Sequence, residues 1–462
     1  MTTSPVLDQL PAPATTGNGT PTTRPWRPTT PIRKSSQLER QFSTLTCYRD
    51  PTLNAIGDQI TGCVVGPMPI ADFLDTFLPA SLIPCYQTTA SCFQAGAFKQ
   101  CIDTKDELGM YKPFITNMQP FSQHLHFVDS HAEGDLESGY TFTIKPDISV
   151  YSDTVTPCPP GCNSDLIEMH VEFKRYNWDN PFFLPKSLKS PEQPGQEAQE
   201  VEPFVGSTPN KINMLGQIGA YAAAQLGSQF HMHCFSIFIM YDVACIIRWD
   251  REGTIVTEPI YYNTKPELAE FFSRFSQASP ALRGVDTTVS LAPTWEAALA
   301  MDKLELPSLT PMFMTSIPGV RGSSTTIIFP RCDVSPTTPA CRGTRTTPAY
   351  DLAGDRVVFF KDSWCIKADD ILSEGQIYAE LKAQNVPHVP ICLACGDVDS
   401  LPVQRLQTSR FSMADWASIT AHIHYRHLLD IVGKSLTSFS CTHELVQVVH
   451  DAVVGESIHA LS

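Results

Sequence analysis

Three residues of this chain have the types and order that metal-assisted hydrolysis uses: Asp147 in PDISVY, then Glu172 and Lys174 in EFK. Two converging carboxylates hold a hard divalent cation such as Mg²⁺, and a lysine beside them can orient or activate the attacking water. DLIEMHVEFKRY alternates strictly between apolar and polar residues and predicts a strand, so Glu172 and Lys174 project from one face. Asp147 opens the preceding stretch and can meet the pair across a hairpin. The helix predicted over KINMLGQIGAYAAAQLGSQF adds Gln217 and Tyr221, one turn apart on a single face. Glu107, in the helix expected over DTKDELGM with Pro113 close behind it, offers a further carboxylate. The competing reading is structural: Glu168, His170, Glu172 and Lys174 are the wet face of a half-exposed strand whose other face carries Ile167, Met169, Val171 and Phe173.

A second pairing lies further on. VVFFKDSW places Lys361 at the end of an apolar strand, and SEGQIYAEL places Glu374 on the next helix. A strand lysine held by a helix glutamate is how protein kinases grip the α- and β-phosphates of ATP. Standing alone, the two residues would read as an ordinary surface pair.

These groups need elements to position them. In PMPIADFLDTFLPA, Ile70, Phe73, Leu74, Phe77 and Leu78 form one apolar face of a helix bounded by Pro69 and Pro79. YTFTIKPDISVY reads as strand, alternating in its first half, and TPCPPGCNSD as loop. Residues 185–210 read as a mobile insertion, and the long Ala-rich helix follows them. Two or three strands in HCFSIFIMYDVACIIRWDREGTIVTEPI and a helix in KPELAEFFSRFSQA complete a first domain, 41–290. Residues 291–350, rich in Pro, Thr and Ser from 305 onward, are expected as linker and as the start of a second domain, 351–462. That domain has a strand in DRVVFFKDSW, a helix in ADDILSEGQIYAELKAQ, an apolar strand at the centre of ASITAHIHYRHLLDIVGKSL and a last helix in THELVQVVHDAVVGESIHAL. The expected class is α+β or α/β.

The order D…ExK…QxxxY, with its helix–strands–helix–strand layout, resembles the restriction-endonuclease-like PD-(D/E)xK superfamily, which implies a nuclease-like core and Mg²⁺ at Asp147 and Glu172. Longer blocks resemble the fungal-type protein kinase family: GPMPIADFLDTFLP, KPDISVY, HVEFK, GQIGAYAAAQLGSQF, IIRWDREGTIVTEPI, FKDSWCIKADDILSEGQIYAEL and VPHVP, spread over roughly residues 40–460. That resemblance implies an α/β region followed by a kinase-like N-lobe that binds ATP and Mg²⁺, with Lys361, Glu374 and, in the phosphate loop, Gly343 as nucleotide-binding residues. The chain departs from the pattern in two places. CRGTRTTPAYD has a single glycine, Gly343, where a glycine-rich loop should lie, and HDAVVGESIHALS ends about where the helix before the catalytic loop would be. No H-R-D or D-F-G segment follows, so a pseudokinase without phosphotransfer is expected. HYRHLLD, on the strand before the hinge, is no substitute. A non-catalytic binding or scaffold protein is the alternative from a different class.

Composition narrows the field. The 462 residues are 42% hydrophobic and 18% charged, with 38 prolines, a net charge of −15 and a pI near 5.3. A general nucleic-acid or anionic-membrane binder needs a basic surface, although a local basic groove stays open. No stretch approaches the length of a membrane span, and the Thr/Pro-rich residues 1–40, expected to be disordered, do not form a signal peptide. Fifteen cysteines fit free thiols in a reducing, intracellular compartment, cytoplasmic or nuclear. The pairs Cys158/Cys162 and Cys392/Cys395 lack the spacing of a zinc ribbon or finger. A protein partner or substrate is expected but not identified.

Overall fold

The computed structural model describes residues 49–88, 92–136, 142–182, 204–319, 323–332, 338–368, 370–399, 401–412, 419–434 and 436–460. The expected disordered tail and most of the expected insertion lie outside these residues.

Two mixed layers of helix and sheet make up the described residues. The first contains α1 (Arg49–Thr61), β1 (Val64–Met68), α2 (Ile70–Phe77), α3 (Lys99–Ile102), α4 (Leu108–Met118), β2 (Leu125–Asp129), β3 (Ile148–Ser152), β4 (Ile167–Lys174), α5 (Pro209–Ser228), β5 (His233–Met240), β6 (Val243–Asp250), β7 (Gly253–Thr257), α6 (Glu267–Gln277) and α7 (Pro280–Arg283). Its seven strands run in the order β1-β7-β6-β5-β4-β3-β2. β1 is parallel to β7 and β4 to β5; the remaining pairs are antiparallel. The parallel β4–β5 pair is joined through α5, as a parallel pair requires.

Helices cover both faces of this sheet. On one, Phe73 and Phe77 of α2, Met110 and Phe114 of α4 and Phe271, Phe272 and Phe275 of α6 bury against Val171, Phe173, Phe235 and Ile237. Each such side chain contributes about 1.5–3 kcal/mol by leaving water. On the other, α1 and α5 pack against Phe238, Ile247, Trp249 and Val256. These two helices touch backbone to backbone: a Cβ at Gly216 would fall 1.8 Å from the Leu53 carbonyl oxygen, so only glycine permits the approach.

Both faces of β4 are therefore covered. Glu168, His170 and Glu172 are not a wet face, because α5 lies over them; His170 and Glu172 are 1% exposed. The strand expected from YTFTI onward is formed in its second half, at β3. The helix expected over DTKDELGM begins where it was to end: α4 starts at Leu108, keeps Pro113 inside it and leaves Glu107 at its N-cap. The last part of the expected insertion is ordered, with Val205 bridged to Phe182 and α5 starting at Pro209.

The second layer contains β8 (Val289–Leu291), α8 (Thr294–Lys303), β9 (Met312–Pro318), β10 (Ser324–Pro330), β11 (Arg345–Asp351), β12 (Arg356–Ile366), α9 (Glu374–Ala383), β13 (Cys392–Asp397), β14 (His422–Leu429) and α10 (Thr442–Ala460). Its seven strands, all antiparallel, run β13-β14-β12-β11-β10-β9-β8. The stretch expected as linker thus holds α8 and strands of this sheet; its Thr-rich runs are β-branched, which suits a pleated surface as well as a loop.

Buried charges join the two sheets. Arg251 Nη2 and Arg345 Nη2 donate to backbone carbonyls at the end of α5, with Arg345 to Gln229 O at 2.6 Å. Arg426, fully buried on β14, donates to Asp286 Oδ2 (2.7 Å) and Asp362 Oδ2 (3.0 Å), and His424 Nε2 meets Asp362 Oδ1 at 2.5 Å. His424 and Arg426 of HYRHLLD are thus structural, and Asp430 accepts from the Ile391 N–H.

Candidate functional site

The C-terminal end of β4 gathers side chains from four elements. Alternation along β4 sends Glu172 toward α5 and turns Phe173 into the opposite core. Asp147, the residue before β3, reaches the same point because β3 pairs with β4, Ile148 opposite Val171. Its Oδ2 accepts the Phe173 N–H (2.7 Å) and its Oδ1 the Tyr111 hydroxyl of α4 (2.6 Å). Lys174 Nζ donates to Glu172 Oε1 (2.7 Å), to the Phe173 carbonyl (2.7 Å) and to Glu107 Oε1 (3.3 Å). From α5, Gln217 Nε2 donates to Glu172 Oε1 and to the Tyr221 hydroxyl, at 2.7 and 2.8 Å. The Tyr221 hydroxyl in turn donates to the Lys145 carbonyl at 2.8 Å. Asp147, Glu172, Lys174, Gln217, Tyr221 and Glu107 are thus brought together.

The cluster holds more acid than base. Burial pushes the Glu172 carboxyl up to about 8, Asp147 adds to the rise, and Lys174 opposes it. Burial also raises Asp147 against the pull of Lys174 and Tyr111, and it raises Glu107. Burial works against the Lys174 ammonium, but Glu172, Asp147 and Glu107 more than offset it and its pKa is raised. Glu172 Oε2 is buried with no hydrogen-bond partner among the described residues, as is His170 Nε2 beside it on β4. A buried carboxylate oxygen without a donor is costly unless a proton or a cation serves it.

Tyr111 and His170 belong to this site, and the sequence reading missed both. Tyr111 reads as one more apolar residue of α4, and no motif spacing points to its hydroxyl. His170, pressed edge-on to Tyr221 with ring centroids 5.3 Å apart, is held neutral by burial, its pKa lowered to about 3.

The second pairing lies on the other sheet. Lys361 Nζ donates to Glu374 Oε2 at 2.6 Å, and Arg342 Nη2 to Glu374 Oε1 at 2.6 Å; His427 Nε2 stands 3.6 Å away. Burial opposes the Glu374 carboxylate, but Lys361, His427 and Arg342 hold its pKa below the usual range. Ser373 caps α9 and Gln376 returns the bond, so the capping box fixes Glu374 in the first turn. Gly343 follows Arg342 in the chain. With φ of +51°, it packs on Arg251 and Trp364 at the junction of the sheets, where a Cβ would stand 2.8 Å from Arg251 Nε.

Among the described residues no cluster of three or more His, Cys, Asp or Glu could hold a metal by itself, the cysteines are free thiols, and no helix is long and apolar enough to cross a membrane. Comparison of the chain with known protein families, with curated proteins and with solved structures gives no match.

Proposed function

We propose that the first layer is a divalent-cation-dependent phosphodiesterase of nuclease type, with its centre at Asp147, Glu172 and Lys174. The observation that carries this reading is the unpartnered, buried Glu172 Oε2 beside a second carboxylate. The donors are all oxygen, which suits Mg²⁺ or Mn²⁺, and Mg²⁺ keeps several waters of its own, so two carboxylates suffice as protein ligands. Asp147 and Glu172 would hold the ion, which when bound neutralises charge on a phosphate and acidifies a coordinated water. Gln217 fixes Glu172 through Oε1 and leaves Oε2 to the site. Lys174, whose longest bond is the 3.3 Å contact with Glu107, can exchange that partner for a phosphate or water oxygen.

The test is cleavage of single- and double-stranded DNA and RNA with Mg²⁺ or Mn²⁺, against Asp147→Asn, Glu172→Gln and Lys174→Ala. Metal-dependent cleavage that drops at least about 100-fold in each variant supports the reading. Wild-type protein that cleaves nothing, or variants that cleave as well as wild type, would overturn it and favour a binding or scaffold role.

A second reading follows the resemblance to fungal-type protein kinases. The Lys361–Glu374 pair, on a strand and the helix after it, favours a kinase-like lobe that grips nucleotide phosphates. If so, ATP with Mg²⁺ raises the melting temperature and Lys361→Ala removes the shift; an equal shift in that variant defeats the assignment.

A further inference from the structure

Immediately past Lys174 the chain carries aromatic rings on the surface. Tyr176, the N-cap residue of a short 3-10 turn (Asn177–Asp179), and Trp178, within that turn, stack face to face with ring centroids 4.4 Å apart and planes 8° apart. They are 51% and 59% exposed. Between them and β4, the Arg175 guanidinium lies over the Tyr241 ring, 5.1 Å from its centroid, and is anchored to the Ile102 carbonyl. Tyr241 turns from β5 into β6, and its N–H donates to the Lys174 carbonyl at 2.9 Å. Asp179 in the same turn is close enough to raise the Glu107 carboxyl, which places the turn at the rim of the carboxylate cluster.

We propose that Tyr176 and Trp178 are a stacking platform for the bases of a single-stranded nucleic acid whose backbone runs past Arg175 and Lys174 to the carboxylate centre. This rests on the phosphodiesterase reading and names its substrate class. Large rings held parallel and left in water offer a planar partner area without reorganisation, and every base has a π-face, so the grip is independent of sequence. Charge sets the direction. Asp179 repels phosphate from the turn itself, while Arg175 and Lys174 attract it on the β4 side, so bases and backbone must divide between the two. A duplex cannot use the platform, because its bases are stacked and paired already. The arrangement also reconciles a net charge of −15 with a nucleic-acid ligand: affinity comes from stacking at one place, not from a basic surface.

The test is fluorescence anisotropy of a fluorescein-labelled 12-mer of thymidylate with the full chain in Ca²⁺, alongside the same strand as a duplex and an abasic 12-mer. Expected is binding to the single strand at least 10-fold tighter than to the duplex or the abasic strand. Tyr176→Ala with Trp178→Ala should weaken it by about 10- to 100-fold with unchanged melting temperature, whereas Trp178→Phe keeps most of the affinity. Equal binding by the double variant, equal binding of the abasic strand, or no binding of the single strand by wild type would overturn the platform. Cleavage is read separately. Ring-dependent binding without cleavage leaves the platform standing and removes the phosphodiesterase, and metal-dependent cleavage indifferent to both rings does the reverse.

Discussion

At the end of β4, Asp147, Glu172 and Glu107 share one cation, Lys174; at the junction of the sheets, Asp286 and Asp362 are met by Arg426 and His424. Both groups are buried, and burial pushes every one of these carboxyls up. At the junction the cations win, and Asp286 and Asp362 end below the usual carboxylate range. At β4 burial wins, and all three acids end above it. A cluster whose carboxylates are both bonded by one buried guanidinium is a fastening. One left short of a cation is poised to take one, and strongly shifted groups concentrate where chemistry is done.

The largest expected effect comes from breaking the junction cluster. Arg426→Ala removes the guanidinium that bonds both Asp286 and Asp362 and leaves the two carboxylates buried, a loss of about 3–5 kcal/mol in urea unfolding. A change below about 1 kcal/mol would mean that water reaches the junction and the contrast between the clusters is false.

The β4 cluster should respond with the opposite sign. Glu172 rises from 4.5 in the unfolded chain to about 8 in the fold, so its protonated form stabilises the fold fully below pH 4.5. That contribution fades as pH climbs toward 8, because the unfolded state has released a proton the folded state still holds. Without metal, the stability gap between Glu172→Gln and wild type should therefore widen in favour of the variant from pH 5 to pH 8. Mg²⁺ should reverse it: at 100 times its Kd it stabilises wild type by about 2.7 kcal/mol and the variant not at all. Calorimetry at several pH values, with and without Mg²⁺, reads both effects; a gap independent of pH would sink the account.

Next in size is Lys361→Met. Lys361 and Glu374 are each about a fifth exposed, and Arg342 stays on Glu374, so the loss should be about 1 kcal/mol or less in thermal unfolding. A loss as large as that of Arg426→Ala would put this pair with the fastenings.

How much of this could be read from the sequence differs between the two clusters. Glu172 with Lys174, and Gln217 with Tyr221, were legible because strand and helix periods fix which residues share a face, and short spacings survive errors in element ends. Lys361 and Glu374, on a strand and the helix after it, were legible only through the kinase-like pattern of a strand lysine met by a helix glutamate. The junction was not: Asp286, Asp362, His424 and Arg426 come from separate segments, and nothing local ties an Asp before β8 to an Arg on β14. The strands within residues 305–350 were hidden by Pro and Thr content that suits loop and pleated edge alike. The wet face of β4 was misjudged because alternation says that two faces differ, not that one meets solvent; a helix may lie over the polar one, as α5 does.

Tyr111 is the residue on which the smallest effect, and the sharpest reading of the β4 cluster, depends. Its hydroxyl donates to Asp147 Oδ1 at 2.6 Å, and this bond lowers the acid's pKa against its burial. Tyr111→Phe removes the donor and keeps the ring, which packs on Phe173 with centroids 5.1 Å apart. Asp147 then holds its proton to higher pH, and that proton competes with a metal ion for the same oxygens. Stability should fall by only about 1 kcal/mol, since protonated Asp147 needs no charge-stabilising donor. Mg²⁺ affinity should fall about 3- to 10-fold where Asp147 still holds a proton and recover toward the wild-type value as the pH rises and that proton is lost. Titration calorimetry over a series of pH values distinguishes the roles of Tyr111. If the hydroxyl only fills space, affinity is lost equally at every pH or not at all; if it tunes Asp147, the loss closes as the pH rises.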